Sequence, residues 1–341
     1  MRYIGVDLHM NSFTVCFRDS NGSETLKTYA MDKMLDFLFE VNGKDIVAVE
    51  STGNTRFFVE IVEKHVKKVV VVDPNNFDVI KKSTKKTDEV DARALAKFLS
   101  KDMLPEARMK TGLQAELSSM IATRDTLVKQ RTALINSMHN IFNAHGIKRK
   151  KEELTTIRGL NKVQDIGREN GCSPLALIQL GVLQEQIRSL NEGIKKLDAQ
   201  IIEKGKTLDG HHNLSSIKGI GDKAATILLT VIGKIDDFAD EGKLAAYFGI
   251  VPRVYRTNQT VHYGRITKDG SKIGRTTLVQ CTLVAIRYSP YLSAFYHQVA
   301  KRRGSGKAII AAARKLLGII YKTLKEGWVF TDFTKFEYTK A

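Results

Sequence analysis

The 341-residue sequence predicts an α/β N-terminal domain, a long helical region and a mainly α-helical C-terminal domain, in that order. In the N-terminal third, short apolar strands alternate with amphipathic helices, which is typical of a sheet that helices cover on both faces. In the middle, apolar residues recur at helical spacing over many turns, which indicates long helices. The last third is rich in Arg and Lys. We therefore expect domains at residues 1–110, 111–207 and 208–330, followed by a tail at 331–341.

The strands of the predicted N-terminal sheet cover residues 3–6, 12–17, 46–49 and 68–72. A short turn separates the first two, so we expect that pair to be antiparallel. Three helices are predicted beside the strands: one that begins at a cap formed by Asp32, one at 55–65 with Phe57 on its apolar face, and one at 88–99. The basic run at 81–86, before the last of these helices, is expected to be a loop.

Two apolar stripes run through the middle region, from Leu117 to Ile141 and from Leu177 to Ile201. Their regular spacing over several turns favours an antiparallel helical hairpin or a coiled coil. Long stripes of this kind also suggest self-association, into a dimer or a tetramer. The lysine-rich stretch 146–171 between the stripes is predicted to be irregular, either as the tip of the hairpin or as a segment that contacts RNA.

A glycine-rich segment, IKGIG at 217–221, precedes an apolar helix at 224–232. This order is typical of a helix-hairpin-helix element, in which the backbone amides of the turn and the N-terminus of the next helix face a phosphate. A glycine turn with a purely structural role has the same pattern, so both interpretations stay open. Helical periodicity returns at 276–285 and at 309–324.

The chain is strongly basic, with 54 Lys and Arg against 37 Asp and Glu, a formal net charge of +17 and a pI of about 9.6. Such an excess predicts a polyanionic partner, DNA or RNA, although a genome that favours lysine is an alternative explanation. No apolar run is long enough to span a bilayer, and Asp7 interrupts the apolar start, which argues against a signal peptide. The three scattered cysteines form neither a disulfide framework nor a zinc site, which favours a reducing cytoplasm.

Four acidic residues fall where the predicted strands and helices place them at a common edge. Asp7 and Glu50 each end a strand, while Asp88 and Asp91 begin the helix at 88–99 and share one of its faces. Clustered carboxylates repel one another unless a cation binds, and oxygen ligands favour Mg²⁺, with Mn²⁺ as an alternative. A pair of such ions suits phosphoryl transfer. Taken singly, Asp7 and His9 also fit ordinary turn residues, and Asp88 fits a plain helix cap.

The four acids lie in three motifs, YIGVD at 3–7, VESTG at 49–53 and KTDEVDAR at 86–93. These motifs resemble those of the DEDD transposases, a family that includes bridge-RNA-guided insertion-sequence recombinases and Piv-type DNA invertases. The resemblance continues with IKGIG at 217–221, LAAYFGIVPR at 244–253 and GRITKDG at 264–270, so it covers nearly the whole chain.

This resemblance implies a RuvC-like (RNase H-like) N-terminal domain, a helical coiled-coil insertion and a C-terminal transposase domain. It implies Mg²⁺ held by Asp7, Glu50, Asp88 and Asp91. It also implies a serine nucleophile in the C-terminal domain that joins covalently to DNA. In many members a noncoding bridge RNA pairs with both target and donor DNA, and homo-oligomers share composite active sites.

The sequence departs from the family pattern at the nucleophile. The family serine follows Pro-Arg-x-Tyr, whereas here PRVYR at 252–256 is followed by Thr257 and Asn258. Thr257 retains a hydroxyl group, but its β-methyl group crowds the attack and the neighbouring glycine is missing. Three outcomes are open: Thr257 is the nucleophile, a nearby hydroxyl such as Thr260 or Ser271 replaces it, or this copy is impaired.

Basic residues close to these motifs are the candidate nucleic-acid contacts, because each would neutralise a phosphate. They are Lys85, Lys86, Arg93, Lys218, Arg253, Arg256, Arg265, Lys268, Lys272 and Arg275. A solvated basic face is the alternative. The predicted activity is Mg²⁺-dependent strand exchange by an insertion-sequence transposase. The alternatives are a Piv-like DNA invertase, a RuvC-like hydrolytic nuclease and a nucleophile-impaired nucleic-acid-binding homologue.

Overall fold

The computed structural model describes residues 1–73, 77, 87–110, 112–257 and 260–330. The chain divides into two compact units, Met1–Thr111 and Gly112–Ala341. Among the described residues, no helix combines the length and the apolar character needed to cross a bilayer. The basic run at 81–86, with Lys85 and Lys86, lies outside the described residues, and so does the tail at 331–341.

The first unit is built on a five-stranded sheet with the order β3-β2-β1-β4-β5. The strands are β1 (Arg2–Leu8), β2 (Ser12–Asp19), β3 (Glu24–Ala30), β4 (Ile46–Glu50) and β5 (Lys68–Val72). The predicted antiparallel pairing of β1 with β2 is confirmed, and β1, β4 and β5 are parallel neighbours. Strand β3 was not predicted, because it is an edge strand whose side chains, apart from Tyr29, are exposed or half-buried and carry little apolar signal.

Helices cover both faces of this sheet, as predicted. The first two are α1 (Met34–Glu40) and α2 (Thr55–Val62), and their Phe37 and Phe58 rings pack edge-on against Phe13 on one face. The third, α3 (Asp88–Leu99), has the predicted bounds and packs against β1 and β2 on the other face. The sheet is therefore a buried platform between two helical layers.

Two details of the predicted helices are wrong. Asp32 does not cap a helix, because it lies inside a short 3-10 turn, Met31–Lys33, that leads into α1. Helix α2 ends at Val62, and Phe57 is 55% exposed rather than part of the apolar face. The buried side chains of α2 include Phe58 and Val62, one helical turn apart, and Phe57 points away from that face.

The second unit begins with two long helices, α4 (Gly112–Ala144) and, further along the chain, a helix at Pro174–Gly205. Arg124 pairs with Asp198 at 2.6 Å and Arg131 donates a hydrogen bond to Asn191 at 3.0 Å, so the two helices run antiparallel. Buried side chains such as Phe142 fill the seam between them. The predicted antiparallel pair is confirmed, while supercoiling of the pair stays a prediction.

The segment between the two long helices is helical, so the prediction of an irregular stretch at 146–171 is wrong. It contains α5 (Lys151–Thr155), α6 (Ile157–Asn161) and α7 (Val163–Glu169), which makes the long helix that follows α8 (Pro174–Gly205). Leu154, Leu160 and Val163 anchor the short helices in the same apolar cluster as Phe142. Helices of one or two turns are too short to show a hydrophobic period in the sequence.

The remainder of the second unit is mainly helical, as predicted. It comprises α9 (His211–Ser215), α10 (Asp222–Ile232), α11 (Glu241–Tyr247), α12 (Lys272–Tyr288), α13 (Pro290–Arg303) and α14 (Ser305–Glu326). One apolar core, with Leu228, Leu278 and Leu316 fully buried, joins these helices. The glycine-rich segment at 217–221 forms the connection between α9 and α10, and its contact with phosphate stays a prediction.

A β-hairpin interrupts these helices and was not predicted. Strand β6 (Pro252–Thr257) pairs antiparallel with β7 (Thr260–Ile266), and Thr257 lies directly opposite Thr260. The signal was present in the sequence, because β-branched and aromatic residues on both sides of a two-residue gap are typical of a hairpin. The surrounding helical periodicity and the high content of Arg concealed it.

Candidate metal-binding active site

A glycine on β1 lets helix α3 pack directly against the sheet. A Cβ atom at Gly5 would lie 2.1 Å from the carbonyl oxygen of Ala92 and 2.5 Å from the backbone nitrogen of Ala96. Both alanines are fully buried, so the helix touches the strand through small side chains and backbone. This close packing fixes the first turn of α3, which carries Asp88 and Asp91, above the end of β1.

The register of the parallel strands places Asp7 beside Glu50. Val6 pairs with Val49, so Asp7 and Glu50 are the next positions on adjacent strands, at their carboxyl ends. Side chains alternate along a strand, and Val6 and Val49 lie in the core beneath α1 and α2. Asp7 and Glu50 are therefore on the opposite face, the one that α3 covers. The predicted common edge for these two acids is present.

Asp7, His9 and Asp88 form a tight group at this edge. The Nε2 atom of His9 lies 3.2 Å from Oδ2 of Asp7 and 3.4 Å from Oδ1 of Asp88. One ligand atom from each of the three side chains lies within 4.8 Å of the others. His9 could reach a metal from its place in the sequence, although a turn residue was the favoured interpretation, and the structure places it between two of the predicted ligands. Its place two residues after Asp7 was the only signal.

The carboxylate of Asp88 is available because a neighbour caps the helix. Thr87 is the N-cap residue of α3, and its hydroxyl oxygen accepts a hydrogen bond from the backbone N–H of Val90 at 3.4 Å. The alternative in which Asp88 is the cap is therefore wrong. Asp88 and Asp91 both lie in the first turn, where the positive end of the helix dipole favours acidic side chains.

Asp91 and Glu50 flank this group. Asp91 is 6% exposed, and its charge acts on Asp7, as the pKa of Asp7 shows below. Glu50 is half-buried at the end of β4. Neither belongs to the tight group of three, so the four predicted ligands divide into Asp7 and Asp88 at the centre and Glu50 and Asp91 at its margin.

The loop that carries His9 is held from two sides. The backbone N–H of His9 donates a hydrogen bond to the carbonyl oxygen of Ser12 at 2.9 Å, across the β1–β2 turn. Its carbonyl oxygen accepts from the side-chain amide of Asn54 at 2.7 Å. Asn54 follows the VESTG motif at the start of α2, so the segment after Glu50 also supports the segment after Asp7.

The electrostatics of the group fit a bound cation. Burial raises the pKa of Asp7, the charges of Asp88 and Asp91 raise it further, and His9 opposes these effects. Burial acts to lower the pKa of His9, but the charges of Asp7 and Asp88 outweigh it and raise that pKa. The carboxylates thus repel one another in the protein alone. Oxygen ligands together with one imidazole suit a divalent cation, which would remove this repulsion.

The candidate nucleophile lies in the second unit, on the hairpin. Thr257 is the last residue of β6 and is exposed, and its opposite residue Thr260 is exposed as well. Ser271, the other alternative, caps α12, since its hydroxyl oxygen accepts from the backbone N–H of Gly274 at 3.1 Å. The geometry therefore gives Ser271 a structural role and leaves the two threonines as the candidate hydroxyl groups on the hairpin.

Most of the predicted nucleic-acid contacts in the second unit are exposed cations. These are Lys218, Arg253, Arg256, Arg265, Lys268 and Lys272. Arg275 differs, because it is half-buried and donates to the carbonyl oxygen of Phe248 at 3.0 Å, so it joins α12 to the end of α11. In the first unit, exposed Arg93 lies 4.0 Å from Glu24. Lys85 and Lys86 lie outside the described residues.

Two family models match the regions that carry these features. A DEDD transposase model of the IS110 type matches residues 4–146, and a model described as the transposase IS116/IS110/IS902 family matches residues 211–297. The chain belongs to the DEDD transposase family. The first match contains all four predicted acidic ligands, and the second contains the hairpin with Thr257. A DEDD transposase is an enzyme of DNA recombination, and the DEDD domain implies dependence on a divalent metal ion.

Named relatives match this DEDD transposase over almost its whole length. The transposase for insertion sequence element IS1328 of Yersinia enterocolitica is 26% identical, over 96% of this chain and 98% of the relative. The transposase for insertion sequence element IS1111A of Coxiella burnetii is 26% identical, over 95% of this chain and 90% of the relative. A pilin gene-inverting protein of Moraxella bovis is 24% identical, over 96% and 97%.

Proposed function

We propose that this protein is the transposase of an insertion sequence and exchanges DNA strands through a covalent protein–DNA intermediate in the presence of Mg²⁺. The observation that carries the proposal is the group formed by Asp7, His9 and Asp88, with Glu50 and Asp91 at its margin. Clustered acids at the carboxyl edge of a sheet, in a chain with a net charge of +17, are suited to a cation and a phosphodiester.

In this proposal Asp7, Glu50, Asp88 and Asp91 hold Mg²⁺, for which Mn²⁺ can substitute. The bound cation supplies charge neutralisation at the phosphate that reacts. The protein itself supplies placement: Gly5 and the two alanines fix the first turn of α3, and the strand register fixes Asp7 beside Glu50. His9 hydrogen-bonds to Asp7 and so orients its carboxylate.

Thr257 is the proposed nucleophile. Its Oγ atom attacks the phosphorus, a new ester bond forms between Oγ and phosphorus, and the bond to the leaving deoxyribose oxygen breaks. The hydroxyl proton leaves Thr257 to a base, and the leaving oxygen takes up a proton to become a free hydroxyl group. A second DNA end with a free hydroxyl then displaces Thr257, which completes an exchange without loss of phosphodiester bonds.

We further propose that a noncoding bridge RNA and a homo-oligomer, a dimer or a tetramer, take part. The high positive charge supports binding to two nucleic acids at once. The long helical pair at 112–205 offers an extended surface for a second copy. Among the predicted contacts, the side chains are general phosphate-binding cations, which fits a system in which base pairing reads the sequence.

DNA inversion is a second candidate, because a pilin gene-inverting protein is 24% identical over 96% of this chain. The two reactions share the same strand chemistry and differ in the arrangement of the sites. Transposition predicts noncoding flanks whose RNA matches both element ends and the target. Inversion predicts an invertible segment beside the gene. The DNA on either side of the gene therefore distinguishes them.

The chemical proposal is tested with the full-length protein, RNA transcribed from the flanks of its gene, and a labelled junction of the element ends. With Mg²⁺, a covalent adduct is expected on a denaturing gel, followed by the exchanged product. Asp88→Asn should remove both. Glu89→Gln is the matched control, since Glu89 is exposed in the same helical turn.

Three results would contradict the proposal. If Asp88→Asn forms as much adduct as the wild type, the metal group takes no part in the reaction. Cleaved DNA without an adduct would indicate hydrolysis by water, as in a RuvC-like nuclease. DNA binding with neither cleavage nor adduct would indicate a nucleophile-impaired binding protein.

A further inference from the structure

One face of the β6–β7 hairpin carries a histidine beside the proposed nucleophile. Residues directly opposite each other on paired strands share a face of the sheet, and so do alternate residues along one strand. Thr257 lies opposite Thr260, and Tyr255 lies opposite His262. These four side chains therefore lie on one face of the hairpin, and all four are exposed.

The strand pairing is regular in the half of the hairpin that contains these residues. It continues without a break from Val254 to Thr257, and the register shift lies at the other end, between Pro252 and Val254. Side chains therefore alternate regularly between the two faces where Thr257 and His262 lie.

The twist of the hairpin makes Thr257 and His262 diagonal neighbours. Tyr255 is opposite His262, yet its ring extends two residues further along β7, since a Cβ atom at Gly264 would lie 3.4 Å from Cε2 of Tyr255. The same diagonal step from Thr257, which is opposite Thr260, leads to His262. Cβ atoms of such diagonal neighbours lie about 7 Å apart, a span that an imidazole and a hydroxyl group bridge by rotation of their side chains.

His262 is the side chain of the hairpin that is suited to take up a proton at neutral pH. The sequence from 252 to 266 contains no Asp, Glu or Lys, and its Arg side chains stay protonated and offer no acceptor. Phenol groups keep their own proton at that pH. A neutral imidazole, in contrast, has one nitrogen that accepts a proton, which makes histidine the usual base in proteins.

A cation on the same face gives a DNA strand a place to bind. The Cβ atom of Arg253 would lie 3.5 Å from a Cβ atom at Gly264, so Arg253 shares the face of Tyr255 and His262. Arg253 is exposed, and an exposed guanidinium is suited to a phosphate. A strand that runs along this face therefore meets a cation first and then the hydroxyl group with its imidazole.

We propose that His262 is the base that takes the proton from Thr257. The inference rests on the proposed function, since it supplies the base which that reaction needs. As Oγ of Thr257 forms its bond to phosphorus, the O–H bond breaks and the proton moves to the imidazole, which becomes an imidazolium. The bond from phosphorus to the leaving deoxyribose oxygen breaks, and that oxygen takes up a proton from water.

The second displacement returns the proton. The hydroxyl group of the second DNA end forms its bond to phosphorus and gives its proton to water, while the bond from phosphorus to Oγ of Thr257 breaks. The imidazolium of His262 then donates its proton to Oγ. Nothing is oxidised or reduced, and both side chains end in the state in which they began.

The experiment measures the rate of adduct formation by the full-length protein on the labelled junction, with Mg²⁺ and the flanking RNA. His262→Ala and His262→Gln should each lower this rate roughly 100-fold or more, because the base is missing. DNA binding in EDTA, measured by fluorescence anisotropy, should be unchanged. Imidazole added to the buffer should restore much of the rate of His262→Ala, where it fits the space of the missing ring, and little of the rate of His262→Gln.

The pH dependence is a second readout that a structural role would not change. The wild-type rate should fall as the pH is lowered through the range in which an imidazole takes up a proton. The rate of His262→Gln should instead rise steadily with pH, because hydroxide becomes the proton acceptor. Strand β6 places Arg253 and Tyr255 on the face of His262, and both are present in the two proteins. Asp7 and His9 also titrate in both, so the difference between the profiles is due to His262.

Val261→Thr is the matched control, because Val261 precedes His262, is exposed on the other face and lies opposite Arg256. It should form the adduct at the wild-type rate. A wild-type rate in His262→Ala would overturn the inference. A lowered rate that imidazole does not restore, with a pH profile of the wild-type shape, would also overturn it, since His262 would then only support the hairpin. Absence of the adduct in the wild-type protein at every pH would instead contradict the proposed function.

Discussion

The acidic group of the first unit and the hairpin of the second unit differ in how firmly the surrounding structure holds them. The acidic group lies on a buried platform: Asp7 is 8% exposed, Asp91 is 6% exposed, and the backbone of α3 touches Gly5. The hairpin with Thr257 has no such support, because every residue from Arg253 to Thr257 is exposed. A metal group tolerates little displacement of its ligands, whereas the proposed nucleophile, on an exposed hairpin, needs no fixed position before DNA binds.

Gly5→Ala tests the platform and should have the largest effect on stability. The new Cβ atom would overlap the backbone of α3, so the helix must move away from the sheet. We expect the free energy of unfolding to fall by about 3 kcal/mol, measured by denaturant titration, together with weaker metal binding. Gly53→Ala is the control, since nothing lies within 4 Å of its added Cβ. Equal stability of the two variants would show that α3 is not held in this way.

Asp7→Asn tests metal binding separately from the packing of α3 against the sheet. In the wild-type protein, Mg²⁺ at about 100 times its Kd should stabilise the fold by about 2.7 kcal/mol, since only the folded chain forms the site. The variant should lose most of this gain. Without metal it should be at least as stable as the wild type, because the repulsion among Asp7, Asp88 and Asp91 is reduced.

Thermal unfolding with EDTA, Mg²⁺ or Mn²⁺ measures this difference. Asp36→Asn is the control, because Asp36 lies on α1, on the other face of the sheet. If both variants gain the same stability from Mg²⁺ as the wild type, the cation binds elsewhere.

The apolar pattern of the sequence predicted most of the fold, because buried strands and long helices have strong periodic signals. It failed for β3 and for the β6–β7 hairpin, whose side chains are largely exposed. The placement of Asp7 and Glu50 at strand ends was readable, and so was the position of Asp88 and Asp91 in one helical turn. The part played by His9 depends on how α3 meets β1, which no local pattern encodes. The cap formed by Thr87 is a local hydrogen bond, but Thr and Asp are both favoured cap residues, so the sequence alone does not decide between Thr87 and Asp88.

Asp198→Asn tests an ion-pair link between helices of the second unit, away from the hairpin. Asp198 pairs with Arg124 on α4 at 2.6 Å and with Lys223 on α10 at 3.0 Å, so it joins three helices. Burial acts to raise the pKa of Asp198, but the hydrogen bonds from Arg124 and Lys223 outweigh it and hold the pKa below its usual value. Its stabilising contribution is therefore complete above the unfolded value of about 3.9 and is lost as pH falls through the folded value.

We expect Asp198→Asn to lower the free energy of unfolding by about 1 kcal/mol at neutral pH. This difference from the wild type should shrink as the pH is lowered, and formation of the covalent adduct should be unaffected. Asp125→Asn is the control, because Asp125 pairs with Lys129 on the surface of α4 alone. Denaturant titrations across this pH range compare the two variants. Equal losses would mean that the three-helix link adds nothing beyond a surface ion pair.

Substitutions at Thr257 should have the smallest effect on stability and so complete the contrast between platform and ribbon. Its side chain is exposed, and we expect Thr257→Ser and Thr257→Val each to change the free energy of unfolding by no more than about 0.5 kcal/mol.

The same two variants should differ completely in the formation of the covalent adduct. Thr257→Ser keeps the hydroxyl and removes the crowding methyl group, so its adduct should form at least as fast as in the wild type. Thr257→Val keeps the shape and removes the nucleophile, so no adduct should form. Thr260→Val, directly across the hairpin, is the matched control. If Thr260→Val loses the adduct and Thr257→Val keeps it, the nucleophile is on the other strand of the same ribbon.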